Sequence, residues 1–159
     1  MGLDIAKNAG GCMVISIRKG KRFERYVANK LTRITGEKWV RVPQSGAMAT
    51  NYKLQQFLGD VVKLKVLNGE AKQDLVVECK SVKNPVNIQD IYYRNDNIIT
   101  KWIKQAKCSM DWVVVFKWNR SVVFGVSDKK EVLFDLGFKA IRCLIIGTKK
   151  IKYFIGMWY

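Results

Sequence analysis

The dipeptide Asn68-Gly69 constrains the fold of this chain more than any other feature. It separates two runs of strand character, Asp60–Leu67 and Leu75–Lys80. Asn-Gly readily adopts the positive φ angles of a tight hairpin turn, so the two runs are expected to pair antiparallel. A hairpin turning about Gly69 opposes Asp60 to Glu78, Val62 to Val76 and Leu64 to Asp74. Side chains alternate along a strand, so Asp60 shares a face with Val62, Leu64 and Val66, the side expected to meet the core. Two carboxylates directly opposed on a sheet have Cβ atoms about 4.5–5.5 Å apart.

The rest of the chain builds around that hairpin. Residues 1–17 read as a flexible leader. Arg18–Ile34 predicts a helix, with Phe23, Val27, Leu31 and Ile34 on one apolar stripe and Gly36 as its stop. Trp39–Val42 is a short strand closed by Pro43, and Gln44–Gly59 a long polar loop. After Pro85, Asn87–Lys107 predicts a second helix. A second hairpin spans 112–118 and 121–127 across Asn119-Arg120, followed by a short helix at Asp128–Leu136. Lys139–Ile146 and Ile151–Trp158 are the last strands. The expected fold is a mixed α/β (α+β) domain over 18–159, a central mixed sheet flanked by helices, with a β-rich C-terminal part at 112–159.

Composition then narrows the chemistry. The 159 residues include 29 Lys+Arg, 13 Asp+Glu and no His, a formal charge of +16. Without His there is no Ser-His-Asp or Cys-His nucleophile, no His-ligated zinc and no His general base. The charge calls for an anionic partner, nucleic acid ahead of a membrane surface. The longest apolar run, around Trp112–Phe116, is of strand length and far short of a membrane span. A signal-peptide core is missing, and position 6 is Ala where a myristoylation signal has Ser or Thr. Cys12, Cys79, Cys108 and Cys143 lie far apart with no Cys-x-x-Cys pair, as reduced thiols of a cytoplasmic protein would.

In so basic a chain the few acidic residues are informative. Asp60 and Glu78, opposed and close, repel unless one is protonated or a cation bridges them. A hard divalent ion with oxygen ligands, Mg²⁺ above all, resolves the conflict. Lys80 falls on the same face as Glu78, where its ammonium can stabilise a hydroxide nucleophile or the charge growing on an attacked phosphate. Taken alone, the same residues also fit an exposed strand end with a surface ion pair. Cys79 points to the opposite face and lacks the base that a nucleophilic thiol needs. The aromatic residues are expected in the core or at subunit contacts, and the apolar end Phe154–Tyr159 as an exposed patch able to pack on a partner subunit.

These residues carry a family resemblance. Asp60 followed by Glu78-Cys79-Lys80 after a hairpin resembles the PD-(D/E)XK nuclease superfamily. The run Lys19-Gly20-Lys21-Arg22-Phe23-Glu24-Arg25 is similar to the opening of archaeal-type Holliday junction resolvases, and Arg41 with Ser45-Gly46 resembles their segment bearing an active-site Ser. The likeness covers residues 18–107. It implies a restriction-endonuclease-like core and a site of Asp60, Glu78, Lys80 and the Cys79 carbonyl, joined by Glu24 and Ser45. It also implies Mg²⁺ (with Mn²⁺ able to substitute), a homodimer and branched double-stranded DNA, cut to 5′-phosphate and 3′-hydroxyl ends. By pattern alone Glu24 reads as a helix-surface residue making local ion pairs, a reading that the resemblance reverses; Ser45 is equally a turn residue and Gln105 a solvated one, and Gln44 ranks behind Ser45. The chain departs from the resolvases in the long Gly46–Gly59 loop and after Lys107. A restriction-type or repair endonuclease, and a non-catalytic basic DNA-binding protein, remain the alternative readings.

Overall fold

The computed structural model describes residues 9–42, 57–67, 70–89, 97–146 and 151–159. The first helix, α1 (Ala9–Thr35), starts well before the apolar stripe, inside the stretch expected as a leader. Phe23, Val27 and Leu31 recur every fourth residue and are buried, Val27 and Leu31 completely. Ile34, expected on the same stripe, is 38% exposed and lies against Gly137 instead. The helix stops as the sequence predicts: Gly36 takes φ +71°, and its N–H donates to the Thr32 carbonyl at 3.0 Å.

Strands β1 (Trp39–Arg41), β2 (Val61–Lys63), β3 (Lys65–Leu67), β4 (Glu70–Lys72) and β5 (Leu75–Val82) follow. The hairpin is present and pairs Val61 with Val77, the register that the turn predicts. Nearer the turn, β3 and β4 form a separate ribbon in which Val66 meets Ala71. The returning side therefore has one residue more between these two pairs, a bulge, so Leu64 is not held opposite Asp74. The expected second helix is shorter than read. Asn87–Gln89 lies outside it, and α2 runs from Ile98 to Ala106 behind the N-cap Asn97. Asn97 accepts from the Thr100 N–H while Thr100 Oγ1 accepts from the Asn97 N–H, a reciprocal cap that fixes the start.

Strands β6 (Asp111–Trp118) and β7 (Val123–Ser127), helix α3 (Lys130–Asp135), and strands β8 (Lys139–Ile146) and β9 (Ile151–Trp158) complete the order. The main sheet has seven strands in the order β1-β2-β5-β6-β7-β9-β8. Its one parallel pair is β5–β6, joined through α2 as a βαβ crossover. Both core strands are apolar on two faces. Val77, Val113 and Val115 pack with α1 and α3; Val76, Val114 and Phe116 pack with Trp102 and Ile103 of α2. The end of the chain corrects the sequence reading. Phe154–Trp158 is no exposed patch, because β9 sits between β7 and β8, with Ile155 and Trp158 buried and only Tyr159 strongly exposed. Trp158 stacks on Phe138, centroids 4.4 Å apart, and donates from Nε1 to the Leu136 carbonyl.

Candidate active site

The chain enters β2 through a tight approach to β5. Gly59 has φ +83°, and a Cβ there would lie 2.7 Å from the Val77 carbonyl oxygen, so only glycine brings the backbone this close. Asp60 is then held on both sides: its N–H donates to the Val77 carbonyl and its carbonyl accepts from the Val42 N–H, each at 2.8 Å. Its carboxylate is fixed as well, because the Cys79 N–H donates to Oδ2 at 2.8 Å. Gln73, two residues ahead of the start of β5, reaches out of the bulge to Leu58. Its Nε2 donates to the Leu58 carbonyl at 2.7 Å and to that of Leu75 at 3.1 Å. Its Oε1 accepts from the Leu58 N–H at 2.9 Å. One side chain thereby stands in for a strand partner just ahead of Asp60.

Along β5 the pleat sorts the motif. Leu75, Val77 and Cys79 face the α1 side, whereas Glu78 and Lys80 share the face of Val76 and Val82. Lys80 Nζ donates to Glu78 Oε1 at 2.6 Å, both side chains less than a quarter exposed, a charge-assisted pair shielded from most solvent. From α1, Glu24 accepts from Arg41 Nη1 of β1 at 3.3 Å.

The electrostatics tie these groups together. Burial is the main cause that pushes Asp60 up to about 6, followed by the neighbouring Glu78 carboxylate; the Cys79 N–H opposes the rise, Glu24 adds to it and Lys80 subtracts. Burial also pushes the Cys79 thiol well up, and Asp60, Glu24 and Glu78 add to it in that order. That thiol is inert, in accord with the sequence reading. Of the residues singled out in the sequence, Glu24, Asp60, Glu78, Cys79 and Lys80 thus lie within one another's field. Ser45 and Gln44 lie outside the described residues. Gln105 is on the exposed side of α2.

Two residues went unread in these roles. Arg41 was noticed only as part of the segment leading to Ser45, and it reaches Glu24 because β1 pairs with β2, Arg41 opposite Val61. Gln73 gave no signal beyond a polar residue near the start of a strand, since the bulge that turns it towards Leu58 is invisible in the pattern.

Among the described residues no three Asp, Glu or Cys side chains converge as a ready-made cation site; Glu78 and Glu24 are turned to Lys80 and Arg41 instead. The donor chemistry still suits a hard cation. Asp60 is a half-buried carboxylate in a repulsive field, Glu78 is its neighbour, and both offer only oxygen. A strand residue's N–H and C=O point to the same edge, so the Cys79 carbonyl is turned to the edge where Asp60 stands.

Residues 16–142 match a family model whose description is "Phage putative PDDEXK endonuclease". No curated protein and no solved structure matches the chain. The matched span runs from within α1 into β8 and includes every residue of the site just described. The seven-strand mixed sheet with α1 and α3 on one face and α2 on the other is consistent with the restriction-endonuclease-like fold of such nucleases. With most of its length inside that match, the chain belongs to the phage PDDEXK endonuclease family and is a nuclease of the PD-(D/E)XK superfamily.

Proposed function

We propose that the chain is a Mg²⁺-dependent, structure-selective endodeoxyribonuclease that resolves four-way DNA junctions as a homodimer. The observation that carries the chemistry is the placement of Asp60: its carboxylate is pinned by the Cys79 N–H and raised by burial and by Glu78. Asp60, Glu78 and the Cys79 carbonyl would hold the cation, with Glu24 completing the set. When bound, the cation would supply Lewis-acid stabilisation of the charge that builds on the attacked phosphate.

The chain's own residues do the remainder. Lys80, shielded beside Glu78, places a positive charge where the phosphorane develops, at little cost in reorganisation because it is already held. Arg41 holds Glu24 in place, and Gln73 and Gly59 hold the backbone that carries Asp60. Ser45 is assigned to the scissile phosphate on the order of the motif alone. The junction preference rests on the resolvase-like opening around Lys19–Arg25, and a two-fold dimer would present two sites to opposed strands.

The test compares an immobile four-way junction with a linear duplex of the same arms, each with Mg²⁺, with Mn²⁺ and with EDTA. Symmetric paired nicks on the junction, abolished by EDTA, are expected. Equal cutting of both substrates would replace resolution by a restriction-type or repair activity on the same core. Cutting that survives EDTA, or that survives Asp60→Asn, would remove the cation site.

A further inference from the structure

Basic side chains gather at one end of the sheet, beside the site. At the ends of β5 and β6 next to the site stand Lys19, Lys83, Lys117 and Arg120. At the other end a hollow of about 230 Å³ is lined by Glu37, Asp74, Asp111, Asp135 and Lys63, with Lys63 paired to Glu37 and Asp74 and Lys129 paired to Asp111. The carboxylates of that end are matched by lysines, so the positive charge beside the site is what draws a strand of nucleic acid.

At the basic end, the β6–β7 turn is built to present one side chain. Arg120 has φ +61°, the left-handed region that costs a residue with a Cβ and suits glycine. The turn is braced around it. The Trp118 N–H donates to Ser121 Oγ at 3.0 Å, and the Ser121 hydroxyl is within 2.8 Å of the Val122 carbonyl. Asn119 Oδ1 accepts from Lys19 Nζ of α1 at 3.2 Å, so the turn is tied to the helix that bears Glu24. Next to it Lys117 Nζ lies 6.0 Å from the Phe23 ring centroid. The left-handed conformation is one that a tight hairpin turn uses, and the braced turn leaves the Arg120 side chain exposed beside the site.

We propose that Arg120, with Lys19 and Lys117, forms a phosphate-backbone clamp that holds the DNA strand on one side of the cut. This rests on the nuclease reading above. Lys80 is level with Phe116 and Val82 with Trp118, so Arg120 stands about 10 Å further along the strand direction than Lys80. The clamp therefore meets backbone phosphates within a few nucleotides of the one attacked. Arginine there reads charge and not bases, which suits a nuclease that selects DNA by shape.

The experiment measures binding of a fluorescent four-way junction and of the linear duplex in EDTA across a salt series, and cleavage separately in Mg²⁺. Arg120→Gly removes the side chain and relieves the φ penalty, so its melting temperature is expected to be unchanged or higher. Its affinity should fall about 3–10-fold on both DNAs, with the slope of log K against log salt smaller by about 1. Lys130→Gln, at the opposite end of the sheet, removes one charge and should leave the slope unchanged. An unchanged slope for Arg120→Gly, in a wild-type protein that binds and cuts, overturns the clamp and leaves the nuclease reading standing. Equal losses for Lys130→Gln would also overturn it, since net charge alone would then govern binding. A wild type that neither binds nor cuts either DNA overturns both.

Discussion

Asp60→Asn should make this protein more stable while removing its activity. The folded protein raises Asp60 from 3.8 to about 6, and each pKa unit is worth about 1.4 kcal/mol. The upper limit is therefore about 3 kcal/mol. The sign follows from linkage: a carboxyl raised on folding is stabilising while protonated, so its contribution is complete below pH 3.8 and is lost as pH climbs through about 6. At pH 7.5 the ionised wild type carries the whole penalty. The Asn variant is uncharged, and its side-chain oxygen can still accept from the Cys79 N–H.

Relaxation of the neighbours reduces the gain, so about 1–2 kcal/mol is expected, or about 2–8 °C in melting temperature for a chain of this length. The assay is thermal melting of both proteins in EDTA at pH 5 and pH 7.5, where the advantage of Asp60→Asn should be larger at pH 7.5. Added Mg²⁺ should narrow the gap by stabilising only the wild type, because a ligand that binds the folded state alone raises its stability. Cleavage should fall at least 10²–10³-fold. An Asn variant that melts at or below the wild type at pH 7.5, with no difference in gap between the two pH values, would refute the repulsive field around Asp60.

Three further substitutions separate positioning from packing. Gln73→Ala cuts the tether on Leu58; kcat should drop about 10–100-fold, as for other groups that orient a ligand set, with KM for DNA little changed in steady-state cleavage. Gly59→Ala forces a Cβ to 2.7 Å from the Val77 carbonyl. It should cost about 1–3 kcal/mol in denaturant unfolding and lower the cleavage rate of the folded fraction as well. Gly125→Ala sets a Cβ 2.5 Å from the Phe138 ring, two strands across the sheet from Cys79. It should cost a similar 1–3 kcal/mol by overpacking yet leave cleavage per folded molecule unchanged well below its melting point.

Much of this was legible in the sequence where one residue pattern answered to one physical cause. The stripe Phe23-Val27-Leu31 specified a helix face, Gly36 its end, and Asn68-Gly69 the pairing of Val61 with Val77. The Asp60 and Glu78-Cys79-Lys80 constellation followed from that register. What the pattern hid depended on partners distant in sequence. The insertion of β9 between β7 and β8 turned an apolar tail into a core strand, and alternation alone cannot say whether a terminal strand is central or at an edge. The onset of α2 differs from the expected one because Ile88 continues its apolar spacing, whereas the reciprocal cap of Asn97 and Thr100 sets the actual start. The bulge that frees Gln73 leaves no mark in a strand whose polar and apolar residues still alternate nearby.

The shortness of β2 explains why the site is where it is. Inside a ladder, the N–H and C=O of every central residue are taken by a neighbouring strand, and no carboxylate can reach them. β2 begins only at Val61, because the chain turns at Gly59 just ahead of Asp60, while β5 runs on to Val82. Beyond Val77, the β5 edge has no strand partner from β2, and the Cys79 N–H is satisfied by the Asp60 side chain instead. Extending β2 backwards by two residues would pair that edge with backbone, displace the carboxylate and remove its contact with the Glu78–Lys80 motif. Gly59 and Gln73 act on the same point from either side: one allows the chain to leave the ladder, the other holds it once it has left. The three-residue strand is thus the feature that turns a sheet edge into a place where a carboxylate, a backbone carbonyl and a lysine meet.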